Sequence, residues 1–269
     1  MNRLFALIFL LSFNLANGQT ISGFVINEDN GQAIEYTNIG IVGKNIGTVS
    51  DYQGKFSIDI NSLYDNDSLL FSSIGYFPKQ VKVSELRNVA VKIALKEKVY
   101  EIKQVVIKPH IYKPKTLGFT TRFKKIAAGF KDNLLGYEMG IMIDVKKSAK
   151  VKSVNLNFSV CTYDSIFYRL NIYKVTKPLV FENILENPIY ISVTKNDIKE
   201  TVRINLERYN LVMEGDFLVT IEHVKNLGEG SLYFCAGLKD KTYYRKTSQG
   251  EWETAPVGIS ISVDADRKS

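Results

Sequence analysis

Histidine is almost missing from this chain: His110 and His223 are the only two among 269 residues. A zinc hydrolase of the two-His-one-Glu kind would need both of them. His223 follows Glu222, with neither His-x-x-Glu nor His-Glu-x-x-His around it, and His110 falls in a stretch that reads as a joint between domains. No metal ligands are therefore assigned. A Ser-His-acid triad meets the same shortage, and no Gly-x-Ser-x-Gly elbow occurs. Cysteine is equally sparse. Cys161 and Cys235 lie inside strand-like runs with no histidine beside them, which argues against a thiolate nucleophile. A bridge between them and two free thiols both stay open. Only six prolines occur, and 45% of the residues are hydrophobic, which excludes a disordered or low-complexity chain.

Long apolar runs are absent as well. The one apolar stretch, Leu4 to Phe13, is about half of the roughly 20 residues a membrane span needs. It follows Arg3 and leads to Ala16-Asn17-Gly18, small residues at the −3 and −1 positions of a cleavage site before Gln19. Charged start, apolar centre and small exit predict a signal peptide over 1–18 and an exported mature protein, in the periplasm or at the outer membrane and cell surface, with no transmembrane segment after signal removal. No cysteine follows the run to carry a lipid. The net charge is +7, yet residues 19–108 balance ten basic against ten acidic side chains, so the excess lies in 109–269. No basic run carries the stacking aromatics of a nucleic-acid module, and no nucleic-acid partner is expected.

Residues 20–108 show short alternating runs cut by turn clusters. Ile21–Ile26, Ala33–Val42, Lys55–Ile60, Ser68–Ser72, Gln80–Val83 and Val89–Leu95 read as strands. Asn30-Gly31 supplies a hairpin turn in a stretch, Asn27–Gly31, that lacks the alternating ligands of a calcium loop. No helical period of any length intervenes, which predicts an antiparallel sandwich. In Gly47-Thr48-Val49-Ser50-Asp51-Tyr52-Gln53-Gly54-Lys55-Phe56, Asp51 is placed to cap a turn and Gly54 to take its left-handed position. Phe56 and Ile58 then face inward.

That motif, with Ala33–Ile39 before it and Ser73-Ile74-Gly75-Tyr76 after it, resembles the carboxypeptidase regulatory-like domain. The resemblance implies a transthyretin-like or Ig-like sandwich of seven strands over 19–108, an accessory and not a catalytic module. Val99–Ile107 is similar to the exit strand that joins this domain to the plug of TonB-dependent outer-membrane receptors. Those receptors continue for hundreds of residues, whereas 160 follow Pro109 here, so the expectation is the receptors' extension without the receptor.

Residues 109–135 read as a linker with a short helix, because Phe123, Ile126, Ala127 and Phe130 recur at helical spacing among Arg122, Lys124, Lys125 and Lys131. These bases make either a solvated face or a contact with an anionic envelope surface. Residues 136–269 hold about eight further candidate strands, and the expected fold is all-β throughout, with a jelly-roll-like β-sandwich here. Acidic residues are too plentiful for any one pair to point to a glycosidase. Aromatics do stand out. Tyr243-Tyr244-Arg245-Lys246 puts consecutive rings on opposite sides of a strand, and the sole tryptophan, Trp252, follows Gly250 in a loop. Tyr243, Tyr244 and Trp252 are the candidate binding residues. No catalytic and no cofactor-binding residue is assigned. The reading is a secreted, non-enzymatic envelope protein whose partner is a glycan, a peptide or another envelope protein. The alternative is a hydrolase whose site lies unrecognised in the second half.

Overall fold

The computed structural model describes residues 18–87, 91–99, 112–199 and 201–268. The expected leader (all but Gly18), the exit strand beyond Val99, and His110 lie outside the described residues.

Seven strands build the first body: β1 (Gly18–Asn27), β2 (Asn38–Ile41), β3 (Gly47–Val49), β4 (Lys55–Asn61), β5 (Ser68–Ser72), β6 (Lys79–Lys82) and β7 (Val91–Leu95). They form two sheets, β4-β1-β7 and β3-β2-β5-β6, in which β1 runs antiparallel to β4 and parallel to β7. The alternation of β4 explains its place. Phe56, Ile58 and Ile60 are buried between exposed Lys55, Ser57 and Asp59. They join Ile21, Val25, Ile39, Leu69, Phe71 and Ile93 in one core, where the Phe56 and Phe71 rings meet edge-on at 5.5 Å. The turn before β4 forms as its residues dictate. Asp51 Oδ1 accepts from the Gln53 and Lys55 amides at 2.8 and 2.9 Å, and Gly54 holds φ +72°.

The second body contains β8 (Tyr112–Gly118), β9 (Ala127–Phe130), β10 (Glu138–Ile143), β11 (Ser148–Leu156), β12 (Phe158–Cys161), β13 (Ser165–Lys177), β14 (Val180–Asn183) and β15 (Ile189–Thr194). It continues with β16 (Val202–Asn205), β17 (Val212–Glu214), β18 (Phe217–Glu222), β19 (Leu232–Gly237), β20 (Thr242–Arg245), β21 (Glu253–Ala255), β22 (Gly258–Ile259) and β23 (Ile261–Lys268). One sheet runs β14-β13-β18-β10-β20-β21 with β15 also on β13; facing it are β16-β11-β23-β8, with β17 on β11, and β12-β19-β22, with β9 on β19. Ile141, Tyr168, Leu170 and Val219 of the first sheet share a core with Val154, Val263, Phe234 and Ile259 of the other two. The fold is all-β, with more strands in the second half than the eight expected.

The helix and linker read over 109–135 are corrected. Tyr112–Gly118 is a strand paired along β23, and Ala127–Phe130 is a strand on β19. Of the four apolar residues at helical spacing only Phe130 is buried, and Phe123 is half exposed, so no helical face was there to bury. Pro114 is tolerated because β8 is an edge strand. Cys161 and Cys235 are unbridged; Cys161 pairs with Leu232, three residues from Cys235 on β19.

The two bodies touch closely. Gly40 and Gly47 oppose each other across β2 and β3, and a Cβ on either would lie 2.4 or 2.2 Å from the Ser248 carbonyl oxygen. The Gly43 amide donates to Gln249 O at 2.9 Å, and Gln249 Nε2 donates to Ser72 Oγ at 2.8 Å. Tyr36 of the first body packs its ring against Phe167 and Tyr190 of the second, 5.3 Å from each.

Candidate functional site

Strand β13 is buried on both faces, and its alternation separates two environments. Ile166, Tyr168, Leu170 and Ile172 enter the core. Arg169, Asn171 and Tyr173 point the other way, toward the first body. The ladder places Arg169 beside Glu222 of β18, Glu222 beside Glu138 of β10, and Glu138 beside Arg245 of β20. The result is one row across four strands in the order cation, anion, anion, cation.

Neither glutamate has any exposed surface, so each charge must be compensated locally. Arg169 Nη2 lies 2.8 Å from Glu222 Oε2, and Arg245 Nη2 lies 2.6 Å from Glu138 Oε2. Between the two anions, Asn171 Nδ2 donates to Glu138 Oε1 and Glu222 Oε2, 2.8 Å each. Tyr173 OH donates to Glu138 at 2.9 Å, and the Thr220 hydroxyl donates to the same oxygen. The first body closes the row. Asn38 Nδ2 donates to Glu222 Oε1 at 2.8 Å, while Arg169 donates to Asn38 Oδ1 and, at 2.7 Å, to the Tyr36 carbonyl. Burial alone would raise the Glu222 carboxyl, but Arg169 and then Arg245 outweigh it and hold the group below the usual carboxylate range. Burial, reinforced by the Glu138 charge, pushes the Tyr173 hydroxyl well above its ordinary value. For Arg169 and Arg245, burial works against the charge, but the facing glutamates raise both guanidiniums overall.

An aromatic group adjoins the row. The Arg245 guanidinium sits over the Trp252 ring at 5.0 Å, and Trp252 meets Phe181 edge-on at 5.2 Å and Tyr173 at 5.8 Å. Tyr243 reaches Phe181 at 6.0 Å. Phe181, Tyr243 and Trp252 are half-buried and offer surface to solvent. Phe181 lines a cleft of about 380 Å³ between the two bodies, and Tyr243 and Trp252 lie behind it, packed on Phe181. One wall is Leu70, Ser72, Ile74 and Tyr76; the other is Asn171, Tyr173, Phe181, Asn183 and Gln249, with the two arginines at the floor. A larger groove of about 450 Å³ lies between the Thr48–Ser57 turn region and Leu135, Val224 and Lys225, but among the described residues no comparable network of buried charge underlies it.

Of the aromatics singled out by sequence, Tyr243 and Trp252 come together through Phe181. Tyr244 does not join them. It lies on the opposite face, packs 6.3 Å from Tyr137 against the second core, and donates its hydroxyl to Glu253 at 2.8 Å. The reason is the period of two that separates adjacent strand residues. The row itself was missed. Its signal was a charge interrupting an apolar strand, as Arg169 does between Tyr168 and Leu170 and Glu222 does after Ile221. His223 is buried beside Tyr168 and Phe130, 5.1 and 6.0 Å between ring centres, and burial takes its pKa down to about 4.

Residues 21–107 match the model of the CarboxypepD_reg-like domain family, so the first body is such a domain. Over 101 residues the chain is 26% identical to TonB-dependent receptor P3 of Formosa agariphila, which covers 38% of this chain. The chain spans 10% of that relative's length. Among solved structures, a protein from Bacteroides fragilis described as membrane-associated and of unknown function is 12% identical, covering 93% of this chain and 98% of its own, at a TM-score of 0.23. The VP2 subviral particle of infectious bursal disease virus is 10% identical over 86% of this chain and 60% of its own, at a TM-score of 0.18. Likenesses this low have no bearing on the fold or the site.

Proposed function

We propose that this chain is an exported, non-enzymatic envelope protein that recognises a glycan in the cleft between its two β-sandwiches. The regulatory-like first domain serves as the accessory body and supplies one wall. The observation that carries the reading is the state of the two carboxylates. Glu138 and Glu222 are enclosed, and arginine, amide and hydroxyl donors occupy their oxygens. A general acid or base needs a lone pair or proton that can reach substrate. These groups hold the walls in place instead, and leave Phe181, Asn183 and Gln249 to meet the ligand, with Tyr243 and Trp252 packed behind Phe181. Amides and half-exposed ring faces suit the hydroxyls and apolar faces of sugar rings. Export is supported by the leader-like start of the chain, and the envelope setting by the similarity of its first third to an outer-membrane receptor.

The second reading, a hydrolase, is favoured by one observation: two carboxylates side by side on one amide. The two are separated by affinity electrophoresis of the purified protein against a panel of bacterial and algal polysaccharides, together with assays for release of reducing ends. Retarded migration on at least one polysaccharide without turnover is the expected result. The Phe181→Ala variant should lose about tenfold or more in affinity, and Leu63→Ala, on an exposed site outside the cleft, should lose none. Release of reducing ends that Glu138→Gln abolishes would overturn the binding reading. Failure of every polysaccharide to bind would overturn the glycan.

A further inference from the structure

The basic tip at residues 122–125 is not used by the cleft, and it does not stand alone. In the register of β9 on β19, Ala127 faces Cys235, and the Ala236 amide continues that register by donating to Ile126 O at 2.9 Å. Phe119 lies against Gly237, where a Cβ would come 2.8 Å from its ring. The segment before β9 and the loop after β19 therefore run side by side at one rim of the second body. The base of the first segment is fixed: the Thr121 amide donates to Ser260 Oγ at 3.0 Å and Arg122 donates to Thr201 Oγ1 at 2.9 Å.

What projects from this base is apolar and cationic together. Phe123 is 52% and Leu238 75% exposed. Arg122, Lys124, Lys125, Lys239 and Lys241 are exposed around them, and the four lysines make no ion pair among the described residues. The nearest acid in these two segments is Asp240, whose Oδ1 accepts from the Lys241 amide. The rim thus gathers five of the basic side chains responsible for the positive excess of residues 109–269.

We propose that this rim is a membrane-surface contact, in which Phe123 and Leu238 enter the interfacial region of an anionic bilayer while the surrounding lysines and Arg122 meet lipid phosphates. Charge complementarity selects the occupant. An isolated apolar tip would suit many partners, but exposed lysines on the same two segments, with no ion pair among the described residues, suit a surface of negative headgroups. Exposed aromatic and aliphatic side chains beside lysines are the arrangement by which peripheral segments settle at the headgroup boundary. The inference is independent of the cleft, since it uses none of the cleft's residues.

The test is co-sedimentation of the purified protein with vesicles of phosphatidylcholine alone and with a third of the lipid replaced by phosphatidylglycerol. Partitioning onto the anionic vesicles should exceed that onto neutral ones by about tenfold or more and fall with added salt. Lys124→Glu with Lys125→Glu should remove it, at about fivefold per basic residue before repulsion is added. Phe123→Ala should lower it severalfold while leaving the salt dependence in place. Lys92→Glu, on the first body, should leave it unchanged. Circular dichroism matched to the unaltered protein confirms that each variant is folded. Equal partitioning onto both vesicle types, binding that survives the double reversal, or equally tight capture by poly-glutamate would each overturn the proposal.

Discussion

Replacing Arg169 with Met tests whether charge holds the buried row together. The variant keeps an apolar stem but loses donors at 3.1 and 2.8 Å to Glu222 Oε2 and at 2.7 Å to the Tyr36 carbonyl. Glu222 has no exposed surface, so its charge is left to the amides of Asn38 and Asn171 and to the Arg245 charge. Removing one partner of such a buried pair costs about 3–5 kcal/mol. The penalty carries a pH signature. In the unaltered protein Glu222 is held below its ordinary 4.5, so its contribution is complete above that pH and fades as pH falls through the lower folded value. Without Arg169 the strongest lowering influence is gone and burial raises the group instead. The folded variant then holds a proton more tightly than the unfolded chain, and acid favours folding. The difference between the two proteins should therefore be largest at pH 7 and shrink by about 1 kcal/mol or more near pH 4. Urea unfolding at both pH values measures it, with fluorescence of Trp252, the sole tryptophan, as a probe placed beside the row. A variant within about 1 kcal/mol of the unaltered protein at pH 7, or a penalty equal at both pH values, would refute the reasoning.

Three further outcomes follow from single contacts. His223 is depressed to about 4 against an ordinary 6.5, so the unfolded chain binds a proton that the folded one refuses. Stability from this group is complete above pH 6.5 and falls by about 3 kcal/mol toward pH 4, a slope that His223→Phe should remove in urea titrations. Gly47→Ala would set a Cβ 2.2 Å from the Ser248 carbonyl, so the bodies should part locally. Faster hydrogen exchange at the Gly43 amide, which bonds Gln249 O, would report this, and unchanged exchange would count against it. Gly54→Ala meets both a φ of +72° and the Val25 carbonyl at 2.4 Å, and should cost about 1–3 kcal/mol or more in thermal unfolding.

The first body was legible because its information is local. Asp51, Gly54, Phe56 and Ile58 each do what a four-residue window predicts, and turn chemistry and period-two burial need no knowledge of the rest of the chain. The second body was legible in class but not in detail. Pairing is broken at Asn157, between β11 and β12, whose side-chain amide donates to Ser260 Oγ just before β23, a partner 103 residues away. Helical spacing over 123–130 misled because pairing of Ala127–Phe130 with β19 satisfies the backbone, and spacing alone does not reveal a pairing partner. The cleft shows the same divide. Tyr243 and Trp252 announce themselves as aromatics near turns. Arg169, Glu222, Glu138 and Arg245 gain meaning only once four strands lie side by side, since neighbours in the row are 53, 84 and 107 residues apart in sequence but one strand apart in the sheet.

An apolar interface could join two sandwiches without the expense of burying four charges, so the row calls for a reason beyond adhesion. Its geometry supplies one. Arg169 is satisfied on the first body by a backbone carbonyl, Tyr36 O, and by one amide oxygen, and both must arrive together. Tyr36 has φ +48°, a conformation uncommon outside glycine and asparagine, and its ring packs against both Phe167 and Tyr190, which stack on each other at 5.1 Å. A shift of the first body by one strand residue would leave Arg169 and Glu222 buried without Asn38, whereas leucines at the same places would tolerate the shift. The row therefore fixes position more than it adds stability. Converting Arg169 and Glu222 together to Met and Leu should cost less than Arg169→Met alone, because no buried charge of the pair remains unpaired. It should nevertheless loosen the seating of the bodies. Hydrogen exchange at the Gly43 amide, which bonds Gln249 O across the two bodies at 2.9 Å, should be slow in the unaltered background and faster in the double variant. Equal exchange in both would show that apolar packing around Tyr36 is enough to set the cleft, and that the charges serve some other end.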